Sequence, residues 1–156
     1  MDKVIDLTYL KDIADNDNDV IIELVTIFLD QIDEFKDGFA EFFHKKDWRQ
    51  LAALAHKAKS SVISMGMNEL GEDDLKNLEI ISKFLLVNEL ENLETKDEKI
   101  VEELGFLKKS ISNISEKKLI WVKNNTNKET IEFLIEKFNK ICCQAKTEIE
   151  DFLKKS

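Results

Sequence analysis

Apolar residues recur at three- and four-residue steps along most of the chain, the spacing that lays a stripe down one face of an α-helix. The longest stripe is Ile21, Leu24, Val25, Phe28, Ile32, Phe35, Phe39 and Phe42. It predicts a helix ending near Phe43, with Gly38 a weak helix former inside it. Leu7 to Ala14 reads as a short helix before it, with Thr8 as N-cap, and the polar run from Asp15 to Asp19 separates the two. His44, Lys45 and Lys46 put positive charge at the negative end of the long helix's dipole. Asp47 then stands as the N-cap of a new helix, with Gln50 at the capping-box position. That helix runs to about Ser64, and Gly66 marks its stop. A fourth helix starts near Met67 and carries Leu70, Leu75, Leu78, Ile81 and Leu85.

From about 88 to 96 the chain is polar and reads as a turn. Residues 97–111 read as a helix with Ile100, Val101, Leu104 and Leu107 on one side, 115–123 are ambiguous, and 124–127 form a loop. A last long stripe runs from Ile131 to Phe152. Four long stripes predict an all-α protein, an antiparallel four-helix bundle. A short N-terminal helix and a helical insertion at about 88–126, before the last long helix, decorate it within a single domain over 1–156.

Composition narrows the classes further. The chain has no proline and four glycines, which argues against β-sandwiches, barrels and nucleotide-binding α/β folds, whose turns and phosphate loops use those residues. Ten phenylalanines and 43% hydrophobic residues allow a substantial core. The longest apolar run, Val20 to Leu29, is interrupted by Glu23 and falls short of the ~20 residues a membrane span needs. The first ten residues lack a basic stretch followed by an apolar one, so a signal peptide is not expected. Cys142 and Cys143 are adjacent, too few and too close for a disulfide framework or a zinc site. A reducing, cytoplasmic setting is expected, with no metal.

The net charge of −9 arises within the first 43 residues; the rest of the chain is balanced. With a sequence pI near 4.8, nucleic-acid binding is not expected. Between Lys45 and Lys59 the sign reverses, with Lys45, Lys46, Arg49, Lys57 and Lys59 against Asp47 alone. Such a patch suits a small anion or an acidic protein surface, or is an ordinary solvated helix face.

His56 lies within that patch. At about 100° per residue, Arg49, Ala52, Ala53, Lys59, Ser60 and Ile63 share its side of the helix, while Leu51, Leu54, Ala58, Val62 and Met65 define the core side. An outward imidazole among small residues leaves room for another molecule to approach. Lys59 and Ser60 sit one turn on, where both can stabilise phosphoryl oxygens. Imidazole is nucleophilic and substantially neutral near pH 7.

The stretch Ala55-His56-Lys57-Ala58-Lys59-Ser60-Ser61, followed by Gly66 and Leu70, resembles the motif of the histidine-containing phosphotransfer (HPt) domain family. Asp6-Leu7 with Tyr9-Leu10, Phe28-Leu29, Asp47-Trp48 and Leu78-Glu79 resemble further positions of the family, and the likeness spans about residues 4–85. Ala58 stands where the family has a large aliphatic residue, and Ser60 where it has glycine. One extra residue between Leu70 and Leu78 predicts a helix irregularity near 71–74, such as a π-bulge. The 88–126 segment is longer than in a minimal member.

The resemblance implies a phosphorelay intermediate, with no ATP-dependent kinase activity of its own. His56 would be the phosphoacceptor, Lys59 would stabilise the phosphoryl group, and Ser60 would be a small polar neighbour. Arg49, Ala52, Ala53 and Ile63 would form the docking face, and Gly66 a structural element. The expected partners are response-regulator receiver domains and a hybrid histidine kinase. Mg²⁺ would sit on the receiver rather than on this chain, and a monomer is expected. Two other readings remain open: a helical module that binds receivers or other signalling proteins without taking phosphate, and a metal- or haem-binding bundle using His44 and His56. The second lacks any ligand spacing of a known type and any Glu-x-x-His pair.

Overall fold

Helix caps and apolar stripes divide the chain into seven α-helices in the computed structural model, which describes residues 3–156. They are α1 (Thr8–Ile13), α2 (Asn18–His44), α3 (Trp48–Ser64), α4 (Lys76–Glu91), α5 (Glu98–Ser112), α6 (Glu116–Asn124) and α7 (Lys128–Lys154), with a π-helical stretch, Leu70–Leu75, leading into α4. The described residues are all-α, without strands. No helix among them is long and apolar enough to cross a membrane.

Side chains supply the N-caps that the backbone leaves open. Asp47 Oδ1 accepts from Gln50 N–H, Asp97 Oδ1 from Ile100 N–H, Ser115 Oγ from Lys118 N–H, and Asn127 Oδ1 from Thr130 N–H. The capping box at Asp47 is only half formed, since Asp47 N–H donates to Phe42 O. The expected Thr8 cap is corrected: Leu7 holds the cap position, and Asp6 Oδ1 accepts from both Thr8 N–H and Thr8 Oγ1–H. Asp6 lies far enough upstream to reach back over the first turn.

The core forms where α2, α3, the π-helical stretch, α4 and α7 meet. Phe28, Phe35 and Phe39 of α2, Leu51, Ala55, Ala58 and Val62 of α3, Leu78 and Ile81 of α4, and Phe138 and Ile149 of α7 are fully enclosed. Phe138 meets Phe35 and Phe39 edge-on at centroid distances of 6.2 and 5.0 Å. Such pairs contribute about 0.5–1.5 kcal/mol each beyond their burial.

The expected turn at 88–96 is shorter than the polar composition suggested. α4 continues to Glu91 because Leu86 and Leu90 extend its apolar face to meet Leu104 and Leu107 of α5. Trp48, Val87 and Ile100 pack against this second cluster. The ambiguous 115–123 segment is α6, and its Val122 is buried in the main core. The long segment between α4 and α7 is therefore folded onto the rest of the molecule.

Two glycines set the path of the chain beneath α3. Gly66 has φ +82° and follows the C-cap Met65. Its N–H donates to Ile63 O and Met67 N–H donates to Val62 O, the paired bonds of a Schellman stop. Asp6 N–H donates to Met65 O, and a Cβ on Gly66 would stand 2.5 Å from Asp6 O. The expected irregularity near 71–74 is the π-helical stretch. Within it Gly71 lies so close to α3 that a Cβ would come within 2.5 Å of Ile63 Cγ1 and 3.1 Å of Lys59 O. The extra residue is accommodated by local widening, and α4 continues in register for burial.

Candidate functional site

His56 sits in the middle of α3 with its side chain 62% exposed. Its neighbours on the inner side, Ala52 one turn before it and Ala55 directly before it, are small, which lets α4 come close. Glu79 of α4 fills that approach. Its carboxylate is buried, at 2% exposure, and Oε1 lies 3.3 Å from His56 Nδ1.

Four cationic or potentially cationic groups converge on this one carboxylate. Lys83 Nζ is 2.9 Å from Oε2, and Lys59 Nζ and Lys76 Nζ are each 3.9 Å from Oε1, together with His56. Burial works against ionisation of Glu79. The Lys83 hydrogen bond and charge, the Lys76 charge and the His56 hydrogen bond outweigh it and hold the carboxyl below its ordinary value. An ionised carboxylate only accepts, so Nδ1 carries the proton and donates. In the neutral ring the lone pair then belongs to Nε2, the nitrogen not engaged by Glu79. The arrangement orients an accessible nucleophile and places an ammonium group, Lys59, on the same anchoring oxygen.

The other predicted site residues divide. Ser60 and Ala53 are exposed beside His56, and Ile63 is half-buried. Ala52 is a correction: it is buried, at 7% exposure, because α4 lies along the Ala52–Ala55–Lys59 side of α3. It cannot belong to a docking face. Arg49 is exposed but engaged: Nε and Nη2 donate to Glu103 Oε2 and Oε1 at 2.8 and 2.7 Å, tying α3 to α5. Gly66 occupies the stop described above.

The basic patch expected between Lys45 and Lys59 is largely paired, Lys45 within its own turn and Arg49, Lys57 and Lys59 with other helices. Lys45 meets Glu41, Lys57 meets Glu34, and Lys59 meets Glu79. Glu79 is the residue whose importance sequence reasoning missed. The signal was present as Lys76, Glu79 and Lys83 at helical spacings of three and four.

His44 ends α2 on the surface, and no group of three His, Cys, Asp or Glu side chains among the described residues converges to hold a metal ion. Cys142 is buried in the core, which pushes its thiol up to about 12, and Cys143 is exposed. The chain matches no protein-family model, no curated protein and no solved structure.

Proposed function

We propose that this protein is a phosphorelay intermediate of the HPt type, in which His56 accepts a phosphoryl group from the aspartyl phosphate of a receiver domain and returns it to another. The single observation that supports this most is the exposed His56 ring tethered through Nδ1 to a buried, ionised Glu79. The reading includes an antiparallel four-helix bundle formed by α2, α3, the π-helical stretch with α4, and α7. It further assigns the protein a cytoplasmic, monomeric existence and a hybrid histidine kinase as upstream source.

In the proposed transfer the Nε2 lone pair attacks phosphorus in line with the aspartyl oxygen. The N–P bond forms as the P–O bond breaks, and the electron pair leaves with the receiver's carboxylate, where that domain's Mg²⁺ receives it. The Nδ1 proton stays in its hydrogen bond to Glu79, which offsets the positive charge that develops on the ring. Lys59 attracts the phosphoryl oxygens. The chain offers no Gly-rich loop for ATP phosphates, so the phosphoryl group comes from a partner protein.

A second reading, a receiver-binding module that takes no phosphate, draws support from Ser60 in place of the family's glycine and from Arg49 being occupied by Glu103. Incubation with phosphorylated receiver domains separates the two. Acid-labile label on this chain, absent in His56→Gln, supports the relay. Complex formation without label supports the inert module.

A further inference from the structure

A cleft of about 640 Å³ opens beside the His56 site, between α3, the π-helical stretch, the start of α4 and the α5–α6 junction. Its size suits a small organic molecule. Three ammonium groups from three elements line it: Lys59 of α3, Lys76 of α4 and Lys118 of α6. Glu72 is the one carboxylate in the lining. Behind the wall, the buried charge of Glu79 is already divided among Lys59, Lys76, Lys83 and His56. Lys118 Nζ reaches across to the Glu72 carbonyl oxygen at 3.3 Å, a dipole rather than an opposing charge. The cleft is therefore net positive.

Neutral donors accompany the charges. Ser110 Oγ accepts from Lys83 Nζ at 3.1 Å, and Ser115 Oγ accepts from Lys118 N–H as the α6 cap. Each hydroxyl keeps its own proton to donate. Asn113 adds an amide, and Ile63 and Ile114 supply apolar walls. Burial lowers the Lys76 ammonium from its ordinary value. Glu79 opposes that shift, and repulsion from Lys59, Lys83 and Lys118 adds to it. A bound anion would relieve this repulsion.

We propose that this cleft binds a phosphate-bearing small molecule, its phosphate held by Lys59, Lys76, Lys118 and the serine hydroxyls and its carbon part against Ile63 and Ile114. The site depends on α6 and the α5–α6 junction, which lie in the segment that the family resemblance leaves without a role. Binding does not require that His56 carry phosphate, because His56 is not in the lining.

The test is an amide NMR titration and calorimetry of the full chain with inorganic phosphate, sulfate, glucose 6-phosphate and adenosine monophosphate. Saturable shifts should cluster at Ser110, Asn113, Ser115 and Lys118, with a phosphate monoester binding more tightly than sulfate. Loss of one charge-assisted contact should weaken affinity about tenfold in Lys118→Ala, and Asn113→Asp should weaken it by placing a like charge in the cleft. His56→Gln should bind as the parent does, which separates this site from the phosphorelay reading. Inorganic phosphate binding as tightly as the monoesters at the same amides would keep the site and assign it to the free ion. Shifts scattered over surface lysines, no saturation, or unchanged affinity in Lys118→Ala and Asn113→Asp, with helicity retained, would overturn it.

Discussion

Replacing Glu79 by glutamine removes one negative charge while nearly preserving shape, and the fold makes a definite demand on that charge. The carboxylate is buried and receives Lys83 at 2.9 Å, with Lys59 and Lys76 at 3.9 Å. All three lysines are themselves largely sheltered, Lys83 to 18% side-chain exposure. Removing one partner of a buried ion pair costs roughly 3–5 kcal/mol, because the other charge stays behind unpaired. Glutamine keeps an oxygen that can accept from Lys83, so the expected loss is about 2–4 kcal/mol at pH 7. The pH dependence carries the diagnostic sign. Glu79 titrates lower in the folded chain than its ordinary value of 4.5. Its contribution is therefore complete above that value and is lost as pH falls through the folded one. Urea unfolding of parent and Glu79→Gln, followed by circular dichroism from pH 7 to pH 3, should show a stability gap that narrows towards the acid end. A variant as stable as the parent at pH 7, or a gap that does not change with pH, would refute the view that this carboxylate is the electrostatic anchor of the site.

Three further outcomes are expected. His56→Gln should abolish phosphoryl acceptance yet change unfolding free energy by only about 0.5–1 kcal/mol, because the ring is mostly solvated; a larger loss in urea melts would mean the imidazole is structural. Lys59→Ala should slow transfer about tenfold or more in a single-turnover assay with a phosphorylated receiver, the scale of one charge-assisted contact to phosphoryl oxygens. Gly66→Ala should cost roughly 1–3 kcal/mol in thermal or urea unfolding, since its φ of +82° lies in the left-handed region and the new methyl would press on Asp6.

Local signals in the sequence carried the reading where the determining contacts are local. The Asp47 cap, the Gly66 stop and the apolar face of α2 depend on residues within a turn or two of each other. The surplus residue between Leu70 and Leu78 was legible in another way, as one residue more than the spacing of the family that the chain resembles, and this stretch is π-helical. Ala52 shows where this stops. The helical wheel places it on the side of His56, but only the approach of α4 decides that this edge of α3 is covered. Arg49 is similar: its partner Glu103 lies 54 residues away on a helix whose docking depends on Leu104 and Leu107. The basic character expected around His56 also changed in three dimensions, because Glu34, Glu79 and Glu103 come from other helices to meet those charges. Glu79 lay between, visible as part of Leu78-Glu79 in the family resemblance but not as the group that holds the histidine.

The most direct measurement is the chemical state of His56 after mixing the protein with receiver domains of its own source, each charged with acetyl phosphate and Mg²⁺. Mass spectrometry at neutral pH, with ³¹P NMR to identify the bonded nitrogen, reads the product. The account predicts acid-labile phosphate on His56 Nε2, transferable back to a receiver and absent from His56→Gln. Bound receiver with an unmodified histidine, or phosphate at any other residue, would contradict it.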